Sequence, residues 1–305
     1  MKTKLINESK ARPFLKWAGG KKQVVNFIEN NLPIKIKESV VINKYFEPFL
    51  GGGAVFFHLA SKYDIKYAYL GDINKDLILT YYAVQKSPEK LIDELQILSD
   101  GFLPLSFDER KEYYYKVRDE FNNTSEDFDK IKRASQMIFL NRTCFNGLYR
   151  VNKDGKFNVP IGTYKNPLIC DKNNLRNVSE VLKDVKLVCN DYSSAEDEID
   201  ENSFVYLDPP YLPIKENSFT NYDSKGFGIK EQIELSDFCK NIHKQHAKFL
   251  LSNSDPKNTE NEDFFIKHYD LNNGPFKYKK IDVRRSINRD KNKRGPIKEL
   301  LIYNY

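Results

Sequence analysis

Residues 44–60 read Lys-Tyr-Phe-Glu-Pro-Phe-Leu-Gly-Gly-Gly-Ala-Val-Phe-Phe-His-Leu-Ala, and this stretch decides the fold. Lys44 to Phe49 has the aromatic make-up of a short strand. Leu50-Gly51-Gly52-Gly53 is a tight turn, and Ala54 to Ala60 is an apolar helix. The glycines carry no Cβ, so backbone can come close to a ligand there. A second strand, Tyr67 to Gly71, runs into Asp72, nineteen residues after Gly53. Strand, glycine turn, helix, strand and acid form the first unit of a doubly wound α/β sheet. An acid about 20 residues past the glycines is where ribose hydroxyls are caught. The pattern admits a dinucleotide or S-adenosylmethionine, and the missing Gly-x-Gly-x-x-Gly disfavours the dinucleotide.

A second stretch supplies the chemistry: Phe204-Val205-Tyr206-Leu207-Asp208-Pro209-Pro210-Tyr211. Phe204 to Leu207 suits a buried strand of a parallel sheet. Asp208 then stands at the strand's carboxyl end, where open α/β sheets bind ligands. Pro209 and Pro210 cannot donate backbone hydrogen bonds and have φ fixed. They end the strand and hold carbonyl oxygens stiffly beside a carboxylate. Asp208 and the Pro209 carbonyl can each accept one N–H of an exocyclic amine, and Tyr211 can stack on its ring. Taken alone, the string is equally readable as a strand end and a turn.

The bulk composition fits one large or two ordinary soluble domains in 305 residues. No apolar run approaches the ~20 residues of a membrane span, and Met1 to Lys10 lacks the apolar core of a signal peptide. Cys144, Cys170, Cys189 and Cys239 lie far apart without a Cys-x-x-Cys, so they read as free thiols in a reducing cytoplasm. His243 and His246 read as a solvated pair on a helix, and no metal site is expected. The net charge of +6 is unevenly spread. Residues 1–22 carry +6, 130–166 carry +7 and 277–298 carry +8, which leaves −15 elsewhere. Separated basic segments in an otherwise acidic chain point to a polyanion met by several loops.

Residues 12–22 place the only tryptophan, Trp17, beside Gly19-Gly20 and Lys21. The spacing is not that of a phosphate-binding Walker loop. Helical periodicity predicts helices over 73–86, 88–99, 107–121 and 127–140, interrupting the α/β alternation as an inserted domain would. Residues 141–162 follow, with a hairpin turn at Asp154-Gly155. This ribbon carries Arg142, Arg150, Lys153 and Lys156 with Phe145, Asn146 and Leu148 between them. Arg is the side chain that reads guanine bidentately in the major groove, and Phe145 or Leu148 can wedge between bases or touch thymine methyls. The alternation returns with helix 171–183, strand 185–189, helix 229–246 and strand 248–253. Phe264 to Leu271 is expected as another strand, 277–298 as a basic hairpin-like segment, and 297–303 as the closing strand.

Taken together, these pieces resemble the Dam-type, or D12 class, DNA adenine methyltransferases from Arg12 to about Tyr303. The blocks carrying the resemblance are 14–21, 46–53, 71–74, 141–150, 157–162, 208–211, 251–255 and 284–287, in the family's order. The resemblance implies a Rossmann-like S-adenosylmethionine-dependent methyltransferase sheet with an inserted helical and β-hairpin target-recognition domain. Residues 1–75 and 166–305 would be catalytic, and 76–165 would bind DNA. Trp17, Lys21, Phe46, Glu47, Gly51, Gly53, Asp72 and Asp208 would contact the methyl donor. Asp208, Pro209, Pro210 and Tyr211 would be catalytic. Phe145, Asn146, Leu148, Arg150 and Pro160 would contact DNA, with Arg150 on a guanine of GATC.

The implied reaction moves a methyl group to N6 of an adenine flipped out of double-stranded DNA. Hydrogen bonds to Asp208 and the Pro209 carbonyl would localise the amine lone pair and offset its developing positive charge. Ring-carbon methylation of cytosine is disfavoured, because no cysteine here follows a proline. An N4-cytosine methyltransferase, a glutamine or RNA methyltransferase and a catalytically inactive DNA-binding regulator are the rivals. A monomer in the cytoplasm is expected, with a restriction endonuclease acting on the same site as a candidate companion.

Overall fold

The computed structural model describes residues 11–17, 24–124, 129–211, 227–254, 263–284 and 296–305. Lys21, Asp255 and Arg285 to Ile287 lie outside them. Helices α1 (Val25–Asn30) and α2 (Ile34–Ser39) precede strand β1 (Val41–Glu47), helix α3 (Ala54–Ala60) and strand β2 (Asp64–Asp72). The chain then forms α4 (Lys75–Lys86), α5 (Pro88–Phe102), α6 (Phe107–Asn123) and α7 (Lys130–Thr143). After the ribbon of residues 144–162 come α8 (Lys172–Leu182), β3 (Lys186–Cys189), β4 (Ser203–Leu207), α9 (Ile229–Lys244) and β5 (Lys248–Ser254). A short helix α10 (Phe264–His268) leads to β6 (Lys277–Arg284) and β7 (Pro296–Tyr303).

The strands make one mixed sheet in the order β3-β2-β1-β4-β5-β7-β6. β4 runs parallel to β1, with Tyr45 opposite Phe204, and parallel to β5, with Val205 opposite Phe249. With a neighbour on each side, every residue of β4 is buried, which is why it reads as an unbroken apolar run. β7 pairs antiparallel with β5 and with β6, so the last two strands close the sheet as a hairpin. Strand order reverses between β1 and β4. Open α/β sheets bind ligands at the carboxyl ends flanking such a switch point, and here those ends are Phe46-Glu47 and Leu207-Asp208.

The inserted helices start where their caps dictate. Asn74 Oδ1 accepts from Leu77 N at 2.9 Å, so α4 begins after Asn74 rather than at Ile73. Ser106 and Glu109 form a capping box on α6, and Asp129 and Asp171 cap α7 and α8. α7 is buried nearly all round, from Arg133 to Asn141, as expected of a central helix.

Two expectations need correcting. Phe264 to Leu271 does not form a strand: Phe264 to His268 is helical. Its rings meet at i and i+4, Phe264 with His268 at 4.5 Å and Phe265 with Tyr269 at 5.9 Å. A short aromatic run carries both periods, and packing chose the helical one. His243 and His246 are not a solvated pair on one helix. α9 stops at Lys244, and His246 lies beyond it with φ +61°. The His243 ring meets Asn304 Nδ2 at 3.3 Å and the edge of Phe276.

The chain divides into two compact units, Met1–Gly20 with Leu50–Tyr63 and Leu70–Asn190, and Lys21–Phe49 with Asp64–Tyr69 and Asp191–Tyr305. No helix among the described residues is long and apolar enough to cross a membrane.

Candidate active site

In the first unit, the glycine turn and the β2 acid are locked together by backbone. Leu50 N donates to Gly71 O at 2.8 Å. Gly51 N donates to Asp72 Oδ2 at 3.0 Å, and Asn74 N donates to Asp72 Oδ1 at 2.9 Å. Burial raises the Asp72 carboxyl above its ordinary range, and the backbone donors from Asn74, Gly51 and Ile73 pull it partly back. With three backbone donors on about four acceptor sites, the carboxylate keeps room for an outside hydroxyl. That acceptor at a strand end is what a ribose requires, so the donor set fits the nucleoside half of S-adenosylmethionine.

Gly51 has φ +49°, and a Cβ there would fall 2.8 Å from Trp17 Cδ1. Only glycine both adopts this conformation readily and leaves the Trp17 ring its place. Gly53, with φ +66°, opens α3. Trp17 is half-buried and stacks on Tyr149, with centroids 5.4 Å apart and an interplanar angle of 23°. Tyr149 donates its hydroxyl to Asp76 Oδ2 at 3.1 Å, while Arg133 Nε donates to Asp76 Oδ1 at 2.7 Å. Sequence reading passed over Asp76, Arg133 and Tyr149. No local signal marked them, since Arg133 stands among Lys130, Lys132, Ser135 and Gln136 in the sequence.

The ribbon of residues 144–162 belongs to the same unit. Its arms bridge at Val151 and Phe157, and Asn152 N donates to Lys156 O at 2.8 Å around a turn that includes Asp154-Gly155. Phe145, Asn146, Arg150 and Pro160 are exposed, and Leu148 is half-buried. Phe145 N donates to Pro160 O at 2.8 Å, which ties the two tips. Arg150 is held across the ribbon: Nε donates to Asn158 Oδ1 at 2.6 Å and Nη2 to Asn158 O at 3.1 Å. Two of its five N–H groups are engaged in this way, and the side chain is exposed.

In the second unit, β4 delivers Asp208 to the sheet's carboxyl edge. Ser252, on β5, donates to Asp208 Oδ1 at 3.2 Å. The Tyr206 hydroxyl lies 2.9 Å from Ser252 Oγ. With the Ser252 proton spent on Asp208, Tyr206 donates to Ser252, and the three form a directed chain. Pro209 is buried, while Asp208, Pro210 and Tyr211 are half-buried. The Pro210 carbonyl accepts from Gln232 Nε2 at 2.8 Å. Gln232 in turn accepts from Asn253 Nδ2 at 3.2 Å, so the two prolines are braced from α9 and β5. The Tyr211 hydroxyl bonds the Glu299 side chain and is pushed far up, first by burial and then by the Asp208 charge. It stays protonated, and its ring is anchored by its tip.

Phe46 and Glu47 lie one strand over. Phe46 is fully buried and stacks on Tyr69 at 5.4 Å. Glu47 is 2% exposed and accepts the Tyr45 hydroxyl at 2.7 Å. A buried carboxylate at the end of β1, one strand from the Asp208 strand, is costly unless it binds something polar. Gln232 and Glu299 were also missed by sequence reading, since nothing local marks them, and Ser252 stood within the 251–255 block with no role read for it. Among the described residues no group of three His, Cys, Asp or Glu side chains is placed to hold a metal ion.

Comparison with known proteins gives these arrangements a family. Residues 17–287 match the model of the D12 class N6 adenine-specific DNA methyltransferases. The chain is 52% identical over 297 residues to the type II methyltransferase M.MjaIII of Methanocaldococcus jannaschii, covering 96% of this chain and 99% of that one. It is 35% identical over 305 residues to the DNA adenine methylase of Haemophilus influenzae, covering 98% and 96%. It is 33% identical over 293 residues to that of Escherichia coli K12, covering 96% and 95%. With a switch-point Asp-Pro-Pro-Tyr corner, a glycine turn clamped to an acid and full-length relatives of one activity, the chain belongs to the D12 class of adenine-specific DNA methyltransferases, enzymes that take S-adenosylmethionine as methyl donor and double-stranded DNA as substrate.

Proposed function

We propose that this methyltransferase modifies the adenine of GATC, using the Asp208 corner for the amine and the Gly51–Asp72–Trp17 group for the donor. The observation that carries the reading is the fixed carboxylate at the switch point: Asp208 ends β4 and is oriented by Ser252. Bound S-adenosylmethionine supplies a methyl group on a sulfonium, which needs no metal to activate it. Asp208 accepts one N–H of the flipped adenine's amine, and the Pro209 carbonyl accepts the other. These bonds draw the nitrogen lone pair out of the ring and offset the charge that develops on N6; as the N6–methyl bond replaces the methyl–sulfur bond, one N6 proton would leave along the Asp208 hydrogen bond to water. Tyr211 stacks on the extruded base, which helps cover the unstacking cost of a few kcal/mol. Asp72 takes the ribose hydroxyls, Trp17, Phe46, Glu47, Gly51 and Gly53 shape the donor's surroundings, and Lys21, four residues after Trp17 in sequence, supplies a cation to the donor.

Residues 76–165 serve as the target-recognition domain and the remainder as the catalytic one. Arg150 reads a guanine, with Phe145, Asn146, Leu148 and Pro160 against the neighbouring bases and backbone. Resemblance in the Phe-Asn-Gly-Leu-Tyr-Arg block supports GATC. The type II name of the 52% identical relative supports a modification role beside a restriction endonuclease. The test is transfer of labelled methyl from S-adenosylmethionine to duplexes carrying GATC or GACC, followed by nucleoside analysis. N6-methyladenine in the GATC duplex alone is expected. N4-methylcytosine would replace this reading, and tight DNA binding with no transfer would indicate a regulator. Equal N6-methyladenine in both duplexes would overturn the GATC assignment.

A further inference from the structure

Tyr149 occupies a position that neither the donor site nor base readout requires. It sits between Leu148 and Arg150 in the recognition loop and packs on Phe157 of the opposite arm at 5.8 Å, yet its other contacts lie outside that ribbon. Its ring stacks on Trp17 at 5.4 Å. Its hydroxyl donates to Asp76 and also bonds the Asn74 side chain. Asn74 N is itself bonded to Asp72. One side chain therefore touches the Trp17 arm and the segment following Asp72.

The loop and the arm are joined at a second point. Asn141 Oδ1 accepts from Lys16 N at 2.8 Å, and Asn141 Nδ2 donates to Lys16 O at 2.7 Å and to Gly147 O at 3.1 Å. Gly147 has φ +64°, and a Cβ there would lie 2.5 Å from Lys16 Cβ. Backbone of the loop is thus in direct contact with the arm that carries Trp17. Asp76 is kept from yielding by Arg133, which also donates to Phe121 O at 2.9 Å and Thr124 O at 3.2 Å. A displacement of residues 148–150 by DNA has to move the Tyr149 ring, and that ring's two ends are fixed to the donor side.

We propose that Tyr149 is a positioning residue that couples occupancy of the recognition loop to binding of the methyl donor through Trp17 and the 72–76 segment. The inference rests on the donor and recognition roles proposed above. A coupling of this kind is reciprocal: DNA tightens the donor by the factor by which the donor tightens DNA. The quantity to follow is that factor. A residue that merely supports the fold changes both affinities without changing their ratio.

The experiment measures the Kd of S-adenosylhomocysteine by calorimetry with and without a short GATC duplex. The duplex Kd, with and without S-adenosylhomocysteine, supplies the reciprocal check. Fluorescence of Trp17, the single tryptophan of the chain, follows the ring itself. In the wild type a coupling factor of about five-fold or more is expected, the lower end of measured site–site couplings. Tyr149→Leu should bring it to about one, and Tyr149→Phe, which keeps the stack and loses the bonds to Asp76 and Asn74, should leave an intermediate value. Should Tyr149→Leu fail to fold, Tyr149→Phe and Asp76→Asn carry the test by the same ratio. Wild-type coupling retained in the variants, or a wild type that binds both ligands independently, overturns the proposal. Failure of the wild type to bind S-adenosylhomocysteine or duplex at all would instead overturn the reading beneath it.

Discussion

Replacing Asp208 with alanine isolates the amine-binding corner. Asp208 is half-buried at the end of β4, and its Oδ1 accepts the Ser252 hydroxyl at 3.2 Å. In the alanine variant Ser252 loses that acceptor but keeps Tyr206 at 2.9 Å, so stability falls by only about 1 kcal/mol. The reaction loses much more. In the proposed mechanism the carboxylate both accepts an N–H and opposes the positive charge that grows on N6, and removing one such preorganised group costs roughly 10²–10³-fold in kcat, about 2.7–4 kcal/mol. Asp208→Asn keeps an acceptor oxygen without the charge and should fall between alanine and wild type. Single-turnover transfer of labelled methyl at saturating duplex measures the chemical step, and calorimetry checks that both substrates still bind. An alanine variant within about ten-fold of the wild-type rate, with fold and binding intact, would refute the assignment of Asp208 to the developing charge.

Gly51→Ala places a Cβ 2.8 Å from Trp17 Cδ1 at a φ of +49°. A left-handed non-glycine residue costs about 1–2 kcal/mol before the ring moves, so urea unfolding should show at least that loss together with altered Trp17 fluorescence. Arg133→Met leaves Asp76 in a site where both side chains are nearly buried, at 10% and 12% exposed. Removing one partner of such a pair costs about 3–5 kcal/mol, read as a lowered urea midpoint. The Asp72 carboxyl is raised by burial, so its protonated form favours folding. Its contribution is fully present below the ordinary carboxylate range and is lost as pH rises through the raised value. As pH rises from the ordinary carboxylate range, about pH 4, the wild type should lose stability relative to Asp72→Asn, and parallel pH profiles of the two would contradict this.

The amino-acid sequence determines the elements because their signals are local. The glycine turn follows from Leu50 to Gly53, the helix starts from Ser106, Asp129 and Asp171, and the buried central strand from Phe204 to Leu207. The Asp-Pro-Pro-Tyr corner is legible for the same reason: one strand and two prolines place it without reference to the rest of the chain. Partners fixed by packing are not legible. Ser252 reaches Asp208 across 44 residues because β5 pairs in parallel with β4. Tyr149 reaches Asp76 across 73 because α4 and α7 carry Asp76 and Arg133 to one place. Phe264 to His268 became a helix, and β7 inserted between β5 and β6, through burial of aromatic rings and strand pairing rather than local preference. Sheet register and helix packing are sums over distant contacts, and these alone decided which side chains hold the Asp208 corner and the ribbon of residues 144–162 in place.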